Sequence, residues 1–224
     1  MSASTTGAYT GEVTVGGPAD VRELPGLTIT KLAVSDMANN AYLLRDPDTG
    51  EALLIDAAAD PEALRELIGD SDLRTVVTTH GHWDHHRALR EVVEATGAAT
   101  VAHAADAGDL PVPVTRTVEH GDTVTVGAQT LEVIHLRGHT PGSIALVWRG
   151  PGDAGVHLFT GDSLFPGGPG RTTTPENFTS LMDDLEARVF GQFDDATWFY
   201  PGHGNDSTLG VERPHLGDWR ERGW

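Results

Sequence analysis

Apolar residues fall in short runs of strand length along the first half of the chain. Residues 27–34, 41–45 and 52–55 form three such runs, separated by turn chemistry. Asp46-Pro47-Asp48-Thr49-Gly50 reads as a hairpin loop. Asp60 followed by Pro61 supplies an N-cap and a first turn, which predicts a helix to about Leu67 that Gly69 ends. Residues 73–79 read as a strand, 87–95 as a helix stopped at Gly97, and 99–102 as a further strand.

The second half has a different texture. Residues 124–126 and 130–136 flank Gly127-Ala128-Gln129, a hairpin signature. Residues 144–148 and 156–160 form the next pair around a Gly/Pro-rich turn. Over 177–189, Phe178, Leu181, Met182, Leu185 and Val189 recur at three- and four-residue steps, the stripe of a helix lying on a core. A last strand, 197–200, runs into Pro201-Gly202-His203-Gly204. No repeat or linker divides the chain. The expectation is a flexible arm over 1–20, rich in small and polar residues, and a single domain over 21–224. Two strand-rich halves, each with helices, predict an α/β (α+β) fold, a four-layer αββα sandwich.

Composition narrows the function. A formal net charge of −18 argues against nucleic acid, whose phosphates require clustered Lys and Arg. There is no cysteine, which removes disulfides, thiolate nucleophiles and cysteine–zinc sites together. The N-terminal residues have neither a basic nor an apolar leader segment, and no run approaches the ~18 apolar residues of a membrane span. A soluble cytoplasmic protein acting on a small molecule is expected, away from nucleic acid and membrane.

The candidate chemistry is concentrated in His80-Gly81-His82-Trp83-Asp84-His85, four metal-ligand side chains in six positions. Imidazole and carboxylate suit zinc, iron or manganese. One tight loop cannot complete two coordination spheres, so further ligands should follow. Three later segments have the form of a strand followed by a ligand: Gly138-His139-Thr140-Pro141-Gly142, Gly161-Asp162-Ser163 and Gly202-His203-Gly204. Glycine beside each ligand lets the backbone come close. His103, His120, His135, His157 and His215 read as structural or surface groups. Trp83 either walls the site or packs into the core, and the tryptophans near the C-terminus are expected to dock onto the domain.

From about Leu27 to Leu209 the sequence resembles the metallo-β-lactamase superfamily, specifically its short, single-domain, glyoxalase-II-like branch. The resemblance implies that His80, His82 and His139 bind one metal, that Asp84, His85 and His203 bind a second, and that Asp162 bridges them. It implies two divalent ions per chain, zinc first, with iron or manganese as alternatives. Gly161-Asp162-Ser163-Leu164-Phe165 through Gly170-Arg171-Thr172 is similar to a loop shared by glyoxalase II and persulfide dioxygenases. Two residues depart from the pattern. His86 stands where a small residue is usual, and Pro169 replaces a cysteine frequent in the dioxygenase loop.

Two cations about 3.5–4 Å apart can share a hydroxide at neutral pH, which makes hydrolysis the expected reaction. Asp84 and Asp162 are the candidate catalytic carboxylates: Asp162 fixes the metal separation, and Asp84 orients the hydroxide or carries a proton. A thioester of the S-2-hydroxyacyl-thiol type is the expected substrate. Arg171 is the candidate for gripping its anionic tail, with pairing to surface acids as the competing reading. The alternatives are a mononuclear iron persulfide dioxygenase and a lactone or other ester hydrolase.

Overall fold

The strand runs of the first half pair into one sheet. A computed structural model describes residues 8–223. Its first sheet takes β1 (Asp20–Leu24), β2 (Leu27–Val34), β3 (Asn39–Arg45), β4 (Glu51–Ile55), β5 (Asp72–Val77), β6 (Ala99–His103) and β7 (Arg116–Val118) in sequence order. β1 to β4 are antiparallel neighbours, whereas β4 to β7 run parallel. Parallel pairing needs crossovers. Helices α1 (Pro61–Ile68) and α2 (Leu89–Thr96) supply those that join β4 to β5 and β5 to β6.

The second sheet begins with β8 (Thr123–Val126), β9 (Gln129–His135), β10 (Ile144–Arg149) and β11 (Val156–Gly161). A small ribbon, β12 (Leu164–Phe165) and β13 (Gly168–Pro169), follows, then helix α3 (Pro175–Leu185). β14 (Trp198–Pro201) pairs parallel with β11, and β15 (Ser207–Thr208) completes the edge. Helices α4 (Leu209–Glu212) and α5 (Leu216–Arg222) end the described chain. No helix among the described residues is long and apolar enough to cross a membrane.

Alternation assigns each side chain to a layer. Tyr42 and Leu44 of β3 face the inter-sheet core with Val133 of β9 and Leu146 of β10. Their neighbours Ala41 and Leu43 face outward onto Leu64 of α1 and Leu89 and Val92 of α2. On the other sheet, Ile134, Ala145 and Val147 face Leu181, Met182 and Leu185 of α3. Three apolar layers between two helical skins and two sheets give the expected αββα sandwich.

Some expectations need correction. The helix expected over 177–189 starts two residues earlier, because Thr174 caps it, its hydroxyl accepting from Asn177 N–H at 3.2 Å. It ends at Leu185, and Glu186–Phe190 winds as a wider π-type turn. The first seven residues of the expected flexible arm lie outside the described residues. Tyr9, Thr10 and Gly11 have partners elsewhere in the fold. The Tyr9 ring packs against Trp198, its hydroxyl donates to Asp206 at 2.6 Å, and Asp20 accepts the Thr10 and Gly11 amides. Trp219 is buried against α3, as the docking expectation required, whereas Trp224 lies outside the described residues.

Candidate metal centre

All four ligand segments leave the sandwich at one edge. β5 ends at Val77, and Thr79 turns the chain out of the ladder toward His80. That turn is held by Asp56, one residue beyond β4, whose carboxylate accepts the Thr79 amide at 2.7 Å and its hydroxyl at 2.8 Å. Asp56 is buried with φ 57°, a left-handed conformation uncommon for a residue with a side chain. Such strain persists where surrounding bonds over-determine it. A single 3₁₀ turn, Trp83–His85, then swings Asp84 and His85 to the same side as His80.

His139 arrives from the end of β9, Asp162 from β11 and His203 from β14, and the structure brings all seven candidate ligands together. Nε2 of His80 and His139 are 3.3 Å apart, and Nε2 of His85 and His203 are 3.2 Å apart. Asp84 Oδ2 lies 3.4 Å from His203 Nε2 and 3.6 Å from His85 Nε2. Asp162 touches both groups: Oδ1 is 3.4 Å from His85 Nε2, while Oδ2 is 3.6 Å from His139 and 3.5 Å from His203. Ligands bound at about 2.0–2.1 Å to a tetrahedral ion sit about 3.3–3.4 Å from one another, the spacing of these atoms. The ligand atoms also fall into the triads His80/His82/His139 and Asp84/His85/His203, and Asp162 groups with one member of each.

Hydrogen bonds at the far side of each ring fix which nitrogen faces the centre. His139 Nδ1–H donates to the Arg171 carbonyl at 2.6 Å and His203 Nδ1–H to the Met37 carbonyl at 2.9 Å. His85 Nδ1 lies 2.9 Å from Asp56 Oδ2, an acceptor. The Thr79 hydroxyl hydrogen is committed to Asp56, so its oxygen accepts from His80 Nδ1 at 3.0 Å. Four Nε2 lone pairs therefore converge on one space. Left facing one another they repel; a cation between them removes the repulsion.

The carboxylates carry the same message. Burial pushes the Asp162 carboxyl up, but contacts from His203 and His85 outweigh it and hold the group well below the usual range. Asp162 Oδ1 is buried without a hydrogen-bond partner, an arrangement that suits a cation. Asp84 is also held low: the Asn39 amide, donating at 2.9 Å, and His85 offset its burial. Burial opposes charge on His85, yet Asp56 and Asp162 prevail and raise it to about 10. Acidic groups that hold a proton there also favour a dication competing for the same lone pair. Gly202 permits this crowding, because a Cβ would stand 2.0 Å from Asp162 Oδ1.

The other singled-out residues have specific places. Arg171 is exposed and lines a cavity of about 300 Å³ with Phe178 and Arg222, while its carbonyl orients His139. His86 is buried, and its Nε2–H donates to the Gly81 carbonyl at 3.2 Å, bracing the loop between His80 and His82. Trp83 is 59% exposed, so its core reading is overturned; the Arg87 guanidinium lies 4.6 Å from the ring centroid. His157 is buried and bonded, as a structural histidine should be. Sequence reasoning missed Asp56 and Asn39. Asp56 had the signal used elsewhere, a polar ligand directly after an apolar strand.

The sequence model of the metallo-beta-lactamase superfamily matches residues 34–203. The hydroxyacylglutathione hydrolase of Jannaschia sp. (strain CCS1) is 34% identical over 166 residues, 73% of this chain. The match spans only 59% of the length of that relative. The crystal structure of ETHE1 from Myxococcus xanthus is similar with a TM-score of 0.72 and 32% identity, over 86% of this chain and 84% of that one. TTHA1623, solved in a di-iron-bound form, has a TM-score of 0.67 and 29% identity, over 82% and 96% of the two chains. On the family match across most of its length, the chain belongs to the metallo-beta-lactamase superfamily.

Proposed function

We propose that the chain is a hydrolase that holds two divalent cations, zinc first, and cleaves a thioester of the S-2-hydroxyacyl-thiol type. The observation that carries this reading is the convergence of the His80, His85, His139 and His203 lone pairs with Asp84 and Asp162 at 3.2–3.6 Å. In this reading His80, His82 and His139 hold one cation, Asp84, His85 and His203 hold the other, and Asp162 lies between them. Two such cations supply a water whose pKa is lowered toward neutrality and an electrophile for a carbonyl oxygen.

The chain itself supplies orientation and proton handling. Asp56 and Thr79 lock the tautomers of His85 and His80. Asn39 steers Asp84, a buried carboxylate 3.6 Å from His85 and 3.4 Å from His203, which would take up or return a proton at the leaving atom. Arg171 and Arg222 line one cavity, and neither guanidinium forms an ion pair among the described residues. In a chain of net charge −18, two arginines without an ion pair, one of them the residue whose carbonyl orients His139, suit a substrate with an anionic tail. The Jannaschia relative is a hydroxyacylglutathione hydrolase by name, and a hydroxyacylglutathione is such a thioester.

A persulfide dioxygenase would use one iron and leave Asp84, His85 and His203 without a ligand role. Their close approach to one another favours the two-cation reading over it. The test is an activity panel on zinc-, iron- and manganese-loaded protein: acyl-thiol conjugates of several small thiols, lactones, and a persulfide with oxygen uptake. Hydrolysis of an acyl-thiol is expected. Turnover of lactones alone, or oxygen consumption with a persulfide, overturns the thioester assignment.

A further inference from the structure

Two loops from different sheets must meet for the first triad to exist. His80 and His82 stand on the loop after β5, and His139 on the loop after β9. One main-chain bond joins the loop roots, from the Ile144 amide to the Thr79 carbonyl at 2.9 Å. The tips are joined by a side chain belonging to neither loop. Asp106 lies beyond β6 and is 1% exposed. Its Oδ2 accepts the Gly81 amide at 2.8 Å and the Thr140 hydroxyl at 2.5 Å, and its Oδ1 accepts the Gly142 amide at 2.7 Å. Gly81 sits between His80 and His82, and Thr140 follows His139.

We propose that Asp106 is a positioning residue that clamps the two loops in register and so sets the spacing of His80 and His82 against His139. This inference rests on the two-cation reading given above. Three donors on one buried carboxylate are charge-assisted bonds, roughly twice as strong as neutral ones. The glycines of both motifs fit the same explanation. A Cβ at position 142 would stand 2.7 Å from Asp106 Cγ and 2.8 Å from its amide nitrogen, and one at position 81 would stand 2.8 Å from Asp109 Oδ2 and 3.2 Å from Asp106 Cβ. Close approach of Asp106 requires the glycine at 142, and at 81 Asp106 shares the crowding with Asp109. The second triad, Asp84, His85 and His203, has no bond to Asp106, so the clamp acts on one triad alone.

The test titrates Zn²⁺ against a chromophoric chelator in wild type, Asp106→Ala, Asp106→Asn and Thr140→Val, with thermal unfolding of each metal-free protein recorded beside it. Wild type is expected to take up two ions. Asp106→Ala should bind one ion with unchanged affinity and the other about 10–100-fold more weakly, the usual cost of losing a residue that orients ligands. Asp106→Asn, which keeps one acceptor oxygen, and Thr140→Val, which removes one donor, should lose less. Combining Asp106→Ala with His203→Ala should leave no tight site. Two unchanged affinities in Asp106→Ala overturn the clamp, and so does equal weakening of both sites, whatever the change in melting temperature. A wild type that takes up no divalent ion overturns the proposed function and the clamp with it, a result distinct from either.

Discussion

Asp56 Oδ2 lies 2.9 Å from His85 Nδ1 and takes the Thr79 hydroxyl at 2.8 Å, so one carboxylate oxygen orders two ligand histidines. His85 is bonded to it directly, and His80 through Thr79. Asp56→Asn keeps the shape but replaces an acceptor pair with one acceptor and one donor. The expected outcome is a loss of about 10–100-fold in metal affinity, measured by chelator competition. Unchanged affinity contradicts the tautomer argument.

Lys31 and Asp206 form an ion pair of 2.6 Å with both side chains fully buried. The ammonium donates to Asp206 and to the Gly11 and Gly204 carbonyls, while Asp206 Oδ2 accepts from Tyr9 and Trp198. The pair thereby ties the N-terminal segment to the loop bearing His203. Lys31→Met leaves the carboxylate buried and uncompensated, so it should cost about 3–5 kcal/mol in urea unfolding. The double variant Lys31→Met/Asp206→Leu should recover most of that loss.

His157 gives stability a pH dependence outside the metal centre. Burial pushes its imidazole down to about 4, the Ala154 carbonyl offsets part of this, and Arg22 adds to the depression. The unfolded chain therefore binds a proton between pH 6.5 and about 4 that the folded chain does not. Its contribution is complete above pH 6.5 and is lost as pH falls through that window, on the order of 3 kcal/mol. Metal-free His157→Gln should show a shallower fall in unfolding free energy across the same range.

The arginine cavity makes a kinetic prediction. Arg171→Ala and Arg222→Ala should each raise KM for an anionic acyl-thiol by about ten-fold with little change in kcat, consistent with an ion pair made in ground and transition states alike. Arg171→Lys should recover only part, because an ammonium lacks the planar fork. A neutral-tailed substrate should be indifferent to all three.

Much of this molecule was legible because coordination chemistry is demanding. His80, His82, His139, Asp162 and His203 each follow a strand and neighbour a glycine, a combination that packing alone does not require. The central strands were legible as short apolar runs, since both of their faces are largely buried. β1, β7 and the β12–β13 ribbon were not, being short and only partly buried. Asp106 was hidden among 33 acidic residues, because what distinguishes it is burial against particular amides, whereas Asp56 directly follows an apolar strand and carried the ligands' own signal. The anchoring of Tyr9 was not legible for a similar reason. The composition around it is that of a loose arm, and the groups that anchor Tyr9, namely Trp198 and Asp206, are remote in sequence.

The most direct test of a two-cation hydrolase is to follow acyl-thiol hydrolysis while metal-free protein is titrated with Zn²⁺, counting bound ions per chain in the same sample. Two tight ions per chain, with hydrolysis rising as the pair fills and lost again on chelation, is the predicted result. Saturation at one ion with full activity, or activity that survives chelation, would contradict it.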